Sequence, residues 1–211
     1  AVVAATLQAA RDAGALLIAD EVQSGHGRSG DGLWRFPAWG VTPDVVTIGK
    51  PMGNGHPIAA VVTRGELADC MAQAKTAFFS TFGGNPVACV AALTVLDVIE
   101  DERLVENAAE VGGWLRDALA SLAASKAAIG DVRGRGLMLG VELVEGDGAP
   151  ATDLARAARD ELRNRGVLVG TTRREQNVLK VRPPLCISRD EAALIVSTLD
   201  EVLTALEGAG T

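Results

Sequence analysis

Two short apolar runs constrain this chain most. Leu16-Leu17-Ile18-Ala19 and Val45-Val46-Thr47-Ile48 each end at charge, the first at Asp20-Glu21 and the second at Gly49-Lys50. Runs of this length, rich in branched residues and bounded by Gly and Pro, read as buried strands of a parallel sheet. Ligands of open α/β sheets sit outside the carboxyl ends of the strands. Asp20 and Lys50 are therefore expected where chemistry usually happens, side by side if the two strands are neighbours.

Lysine is scarce in the chain. Of twenty basic residues only Lys50, Lys75, Lys126 and Lys180 are lysines. Lys75 and Lys126 fall in polar stretches expected to be solvated, whereas Lys50 directly follows a buried run, where an amine can serve as a nucleophile. A buried acid and a buried amine at two strand ends suit pyridoxal phosphate. The amine forms an imine with the aldehyde, and the carboxylate keeps the ring nitrogen protonated so that the ring withdraws electrons. Taken singly, a strand-end lysine commonly reaches solvent and a strand-end acid commonly caps. It is the two together, thirty residues apart on two strand ends, that point to this chemistry.

Along the chain, helix is expected at Val3–Ala13 and strand at Leu16–Asp20. A Gly-rich loop covers 24–42, followed by strands Val45–Ile48 and Ile58–Thr63, a helix Arg64–Ala74 and a short strand Ala77–Ser80. Thr81-Phe82-Gly83-Gly84-Asn85-Pro86 reads either as a phosphate cradle at a helix N-terminus or as a tight turn with Asn85 as N-cap and Pro86 at N1. A long helical stretch, Val87–Ala124, should break near Asp101-Glu102 and be weakened by Gly112-Gly113. The segment 129–136 is turn-rich. Strand Leu137–Val144, helix Ala151–Arg165, strands Val167–Gly170 and Val178–Val181, and helix Arg189–Glu207 follow, the last opened by a Ser188/Glu191 capping box. The expected division is a partial large α/β domain over 1–124 and an α+β small domain over 125–211.

Composition narrows the function. The net charge of -7 argues against nucleic acid and anionic membrane surfaces, and no apolar run approaches the ~18 residues of a membrane span. Three widely spaced cysteines, Cys70, Cys89 and Cys186, fit reduced thiols in a cytoplasm and not a disulfide frame or zinc site. With only His26 and His56 available, a His-rich metal site is not expected. Gly25-His26-Gly27-Arg28-Ser29-Gly30 matches G-x-G-x-x-G after a strand, but Gly32, Pro37 and Gly40 interrupt the helix a dinucleotide fold requires. The chain lacks an initiator Met and opens inside a helix, which raises the expectation of a fragment without its N-terminal half.

In order and spacing, Ala19-Asp20-Glu21-Val22-Gln23, Thr47-Ile48-Gly49-Lys50 and Thr81-Phe82-Gly83-Gly84-Asn85-Pro86 resemble the class III pyridoxal-phosphate aminotransferase family. Gly134-x-Gly136-Leu137-Met138-x-Gly140-Val141-Glu142-Leu143 and Pro183-Pro184-Leu185 resemble its C-terminal part. The resemblance implies the fold-type-I architecture, a large domain with a mainly parallel sheet plus a C-terminal small domain. It implies that Asp20 pairs with the ring nitrogen, Val22 packs on the ring face and Gln23 bonds near the ring hydroxyl. Lys50 would hold the cofactor and move the proton, and Thr81 would bind the cofactor phosphate, usually that of the neighbouring subunit. A homodimer with shared active sites, and amine and 2-oxo acid substrates, follow from the same resemblance.

Two departures from the family pattern matter. The family's main phosphate loop and ring-stacking aromatic belong to an upstream half, so this chain alone would hold an incomplete site. Many members also carry Arg three residues before Pro-Pro, where Lys180 stands here, with Arg182 just before the prolines. Lys is a point charge without the planar fork that grips a carboxylate. Lys180 and the run Gly49–Pro57 resemble the alanine–glyoxylate aminotransferase 2-like and ethanolamine-phosphate phospho-lyase subgroup. Transamination is the expected reaction, elimination of phosphate and ammonia from an amino-alkyl phosphate the alternative, and a non-catalytic dimerisation module the alternative of another class.

Overall fold

The computed structural model describes residues 2–74 and 79–209. Two compact units divide the chain between Val105 and Glu106. The first contains helix α1 (Val2–Asp12), strands β1 (Ile18–Asp20), β2 (Val45–Ile48) and β3 (Ala60–Thr63), and helices α2 (Gly65–Gln73) and α3 (Pro86–Asp101). Helix α4 (Leu104–Ala123) opens at the division, and the second unit continues with β4 (Ile129–Arg135), β5 (Met138–Leu143), α5 (Thr152–Asn164), β6 (Gly170–Thr172), β7 (Val178–Val181) and α6 (Arg189–Ala209).

In the first unit the strand order is β1-β2-β3. β1 and β2 are parallel, with Asp20 opposite Thr47, and β3 returns antiparallel, with Ala60 opposite Ile48. Asp44 ties the opposite end of this sheet together. It accepts from the Leu17 amide at 2.8 Å and pairs with Arg64 at 2.8 Å. The Leu17 amide above all, with the two arginines beside it, holds the Asp44 carboxyl below its ordinary range. The expected strand Ala77–Ser80 falls partly outside the described residues, and Phe79 and Ser80 are not in a strand.

The second unit is a four-stranded antiparallel sheet, β4-β5-β7-β6, with α4, α5 and α6 packed on it. Strand β5 alternates strictly, with Leu139, Val141 and Leu143 in the core and Met138, Gly140 and Glu142 on the other face, the period-2 pattern of a half-buried strand. Helix α4 belongs to this core through Ala108, Val111, Leu115, Leu119 and Leu122. The unit boundary therefore lies ahead of the expected one at 124.

Several expectations change here. The turn-rich segment 129–136 is strand β4, at the sheet edge. Its glycines are required by close approach: at Gly134, with φ +135°, a Cβ would stand 2.1 Å from the Met138 carbonyl oxygen. The helical stretch breaks near Asp101-Glu102 as expected, and Gly112 lies inside the continuous helix α4. It lets α4 approach the Gly136 backbone, which a Cβ would meet at 2.2 Å. Lys126 is not solvated. Its side chain is 12% exposed and pairs with Asp200 at 3.2 Å, while Lys75 lies outside the described residues. The strand expected at Val167–Gly170 forms instead over Gly170–Thr172, leaving Val167 in the core. The Ser188/Glu191 box forms as expected: the Glu191 amide donates to Ser188 Oγ at 3.2 Å and the Ser188 amide to Glu191 Oε2 at 2.8 Å.

Candidate active site

The parallel register of β1 and β2 sets the carboxyl ends of both strands at one edge of the first unit's sheet. Asp20 ends β1. Its Oδ1 accepts from the Val22 amide and from Thr47 Oγ1, both at 3.1 Å, which fixes the carboxylate plane. Oδ2 has no hydrogen-bond partner among the described residues and can receive a further N–H. Two residues past β2, Lys50 opens a one-turn 3₁₀ segment, Lys50–Gly53, with φ +36°. A left-handed backbone angle on a non-glycine residue is unfavourable by about 1–3 kcal/mol and clusters at functional sites. Among the described residues Lys50 makes no ion pair or side-chain hydrogen bond, so its amine is available.

Val22 lies beside this amine's own backbone neighbour. Its methyl groups stand 3.7–3.8 Å from where a Gly49 Cβ would be. Gln23 is exposed on the same segment. Helix α3 packs against the Lys50–Gly53 turn. Just before α3, Asn85 caps the helix, accepting from the Ala88 amide at 3.0 Å, with Pro86 at N1. The capped-turn reading of 81–86 is the local geometry, and the Thr81 side chain stands exposed in front of it.

The expectation that the acid and the amine are buried is corrected. Asp20 and Lys50 are both exposed. The period of two along the strand explains the acid: Asp20 and Glu21 face opposite ways, and the buried carboxylate is Glu21, 2% exposed. Glu21 Oε1 accepts from the amides of Arg35 and Phe36 at 2.8 Å each, and Oε2 accepts from Ser24 Oγ at 2.6 Å. His26, also 2% exposed, meets the Trp34 ring edge-on at 5.1 Å. Burial pulls its imidazole below the ordinary range, against the opposing charge of Glu21. Neither role was visible in the motif, where Glu21 carries only its place between Asp20 and Val22.

In the second unit, Lys180 lies half-buried on β7 between two glycines, Gly140 of β5 and Gly170 of β6. A Cβ on Gly170 would stand 2.9 Å from Lys180 Cε, so the side chain lies across that glycine. Lys180 has no carboxylate partner among the described residues. Arg182, one residue past β7, is exposed.

The family profile "Aminotransferase class-III" matches residues 2–203. The chain belongs to the class-III aminotransferase family. Alanine–glyoxylate aminotransferase 2 homolog 2, mitochondrial, of Arabidopsis thaliana is 47% identical over 192 residues, 90% of this chain and 40% of that protein. Ethanolamine-phosphate phospho-lyase homolog 1 of Caenorhabditis elegans is 42% identical, over 93% of this chain and 43% of that protein. Human alanine–glyoxylate aminotransferase 2, mitochondrial, is 39% identical, over 92% and 38%.

Among solved structures, a phospholyase from Arthrobacter in complex with phosphoethanolamine superposes with a TM-score of 0.88 at 43% identity, covering 93% of this chain and 47% of that one. A PLP-bound amine transaminase from an uncultivated Pseudomonas species gives 0.84 at 37%, covering 94% and 46%. The fold is that of the fold-type-I PLP-dependent transferases, and the cofactor of the family is pyridoxal phosphate. The chain spans less than half the length of these relatives. One expectation is overturned: the cytoplasmic location drawn from the cysteines conflicts with the plant and human relatives, both named as mitochondrial. The three cysteines are free and exposed, and they do not decide a compartment.

Proposed function

We propose that the chain is the cofactor-anchoring part of a pyridoxal-phosphate-dependent class-III aminotransferase, which moves an amino group from an amine or amino acid to a 2-oxo acid. The observation that carries this reading is the pairing of β1 with β2, which sets Asp20 and the free Lys50 amine at one sheet edge. The donor set fits the group: a carboxylate with one fixed and one unpartnered oxygen, an amine without a counter-ion, and a valine beside it. When bound, pyridoxal phosphate supplies an electron sink for charge developing at the substrate carbon that bears the amine.

Asp20 Oδ2 would accept the ring N–H and keep that proton in place, its orientation set by Val22 N and Thr47 Oγ1. Lys50 Nζ would attach the cofactor and then carry the proton to and from the substrate carbon. Val22 would cover the ring face, Gln23 would bond near the ring hydroxyl, and Thr81 would bind the cofactor phosphate. A homodimer with shared sites is supported by an exposed apolar stripe on α3, where Val87, Val90 and Leu93 are 60–68% exposed.

A second reading, elimination of phosphate from an amino-alkyl phosphate, is favoured by Lys180. A half-buried ammonium between two glycines, without a carboxylate partner, suits a compact anion; the planar fork that grips a carboxylate is missing. Arg182 lies close enough in sequence to assist. Incubation with alanine plus glyoxylate, and separately with phosphoethanolamine, separates the two. Glycine formation supports transamination, and free phosphate with ammonia supports elimination. Asp20→Asn is expected to cut either turnover by orders of magnitude.

A further inference from the structure

The most heavily bonded side chain near the site is one to which the proposed chemistry gives no task. Glu21 takes three hydrogen bonds on its carboxylate, from Ser24 Oγ and the Arg35 and Phe36 amides. Its own amide donates to the Thr47 carbonyl at 3.0 Å, and its carbonyl accepts from the Gly25 amide at 3.0 Å. The turn this closes has no slack. A Cβ on Gly25 would stand 2.8 Å from both the Glu21 carbonyl oxygen and the Trp34 ring. The loop from Ser24 to Phe36 is thus drawn back onto the one residue between Asp20 and Val22.

Asp20 depends on that anchor through both of its hydrogen bonds. One donor is the Val22 amide, which shares a peptide plane with the Glu21 carbonyl. The other is Thr47, whose carbonyl holds the Glu21 amide. We propose that Glu21 is a positioning residue: touching neither cofactor nor substrate, it holds Asp20 and Val22 in place for the cofactor ring. The proposal rests on the reading of Asp20 and Lys50 as cofactor residues.

The chemistry of the anchor makes the proposal specific. Gln has the same reach; its oxygen can take the two amides, and its NH₂ can donate to the Ser24 hydroxyl, which rotates to accept. Asp is one methylene too short to serve all three donors. Glu21→Gln should therefore behave like the parent, and Glu21→Asp should not.

The full chain and both variants would be compared by thermal unfolding, by amide hydrogen exchange at residues 35 and 36 without cofactor, and by the visible circular dichroism and affinity of added pyridoxal phosphate. Folded Glu21→Asp is expected to exchange faster at those amides, to lose or invert the visible band, and to bind the cofactor about tenfold more weakly, the scale of one hydrogen bond to a charged group. Glu21→Gln is expected to retain all three properties. A folded Glu21→Asp that exchanges faster yet keeps the parent band and affinity would overturn the proposal, because the anchor would then be structural only. Should Glu21→Asp fail to fold, Ser24→Ala removes one of the three bonds. A reduced band supports the proposal and an unchanged band and affinity overturn it. A parent chain with no visible band and no cofactor attached to Lys50 would overturn the cofactor reading first and the proposal with it.

Discussion

The two compact units dispose of their apolar residues in opposite ways. In the second, Val141, Leu143 and Leu179 are fully buried beneath three helices. In the first, Ile18 is 64% exposed, Val61 65% and Leu93 60%. Both units were read from similar apolar runs. The difference shows that an apolar run fixes a strand and its period without fixing what covers it. Asp20 and Lys50 lie exposed at one edge of the first unit's sheet.

Substitutions at matched positions break or sharpen this contrast. Leu179→Ala should cost about 2–5 kcal/mol by emptying a packed site, whereas Val61→Ala should stay within about 0.5 kcal/mol. Thermal unfolding of both variants checks this, and a comparable loss at Val61 would mean that its face is covered in solution. Gly112→Ala should cost about 1–3 kcal/mol by overpacking, although Ala exceeds Gly in helix propensity by about 1 kcal/mol. A stabilised Gly112→Ala would mean that α4 and the Gly136 turn do not approach as closely as described.

The smallest effect concerns Glu142, on the open face of the enclosed unit's sheet. Arg133 chiefly, with Asn177 and Arg173, holds its carboxyl below the ordinary value of 4.5. A depressed carboxyl pKa stabilises the fold above the unfolded value, and that contribution is lost as pH falls through the folded one. Glu142→Gln should therefore unfold more easily than the parent near neutral pH, with the gap closing as the pH falls below 4.5 and through the lowered folded value. A gap independent of pH in denaturant titrations would remove the charge from the account.

Much of the fold was legible because its signals are local. The period of β5, the Ser188/Glu191 box and the Asn85-Pro86 helix start each declare themselves within a few residues. Strand β4 was hidden because Gly130 and Gly134 look like turn residues until their neighbours are known. Gly112 was misleading for the same reason, since helix propensity says nothing about a backbone lying against it. The strand-end positions of Asp20 and Lys50 could be read from the sequence, but the burial and bonding of Glu21 could not. Its carboxylate is held by amides fourteen and fifteen residues away, and no motif records them.

The central claim is that Lys50 carries the cofactor. The direct measurement is to add pyridoxal phosphate to the chain and to its Lys50→Ala variant, reduce with borohydride, and map the pyridoxyl group by mass spectrometry. The account predicts the group on Lys50 in the parent and on no residue of the variant. A group on Lys126 or Lys180 in place of Lys50 would contradict it.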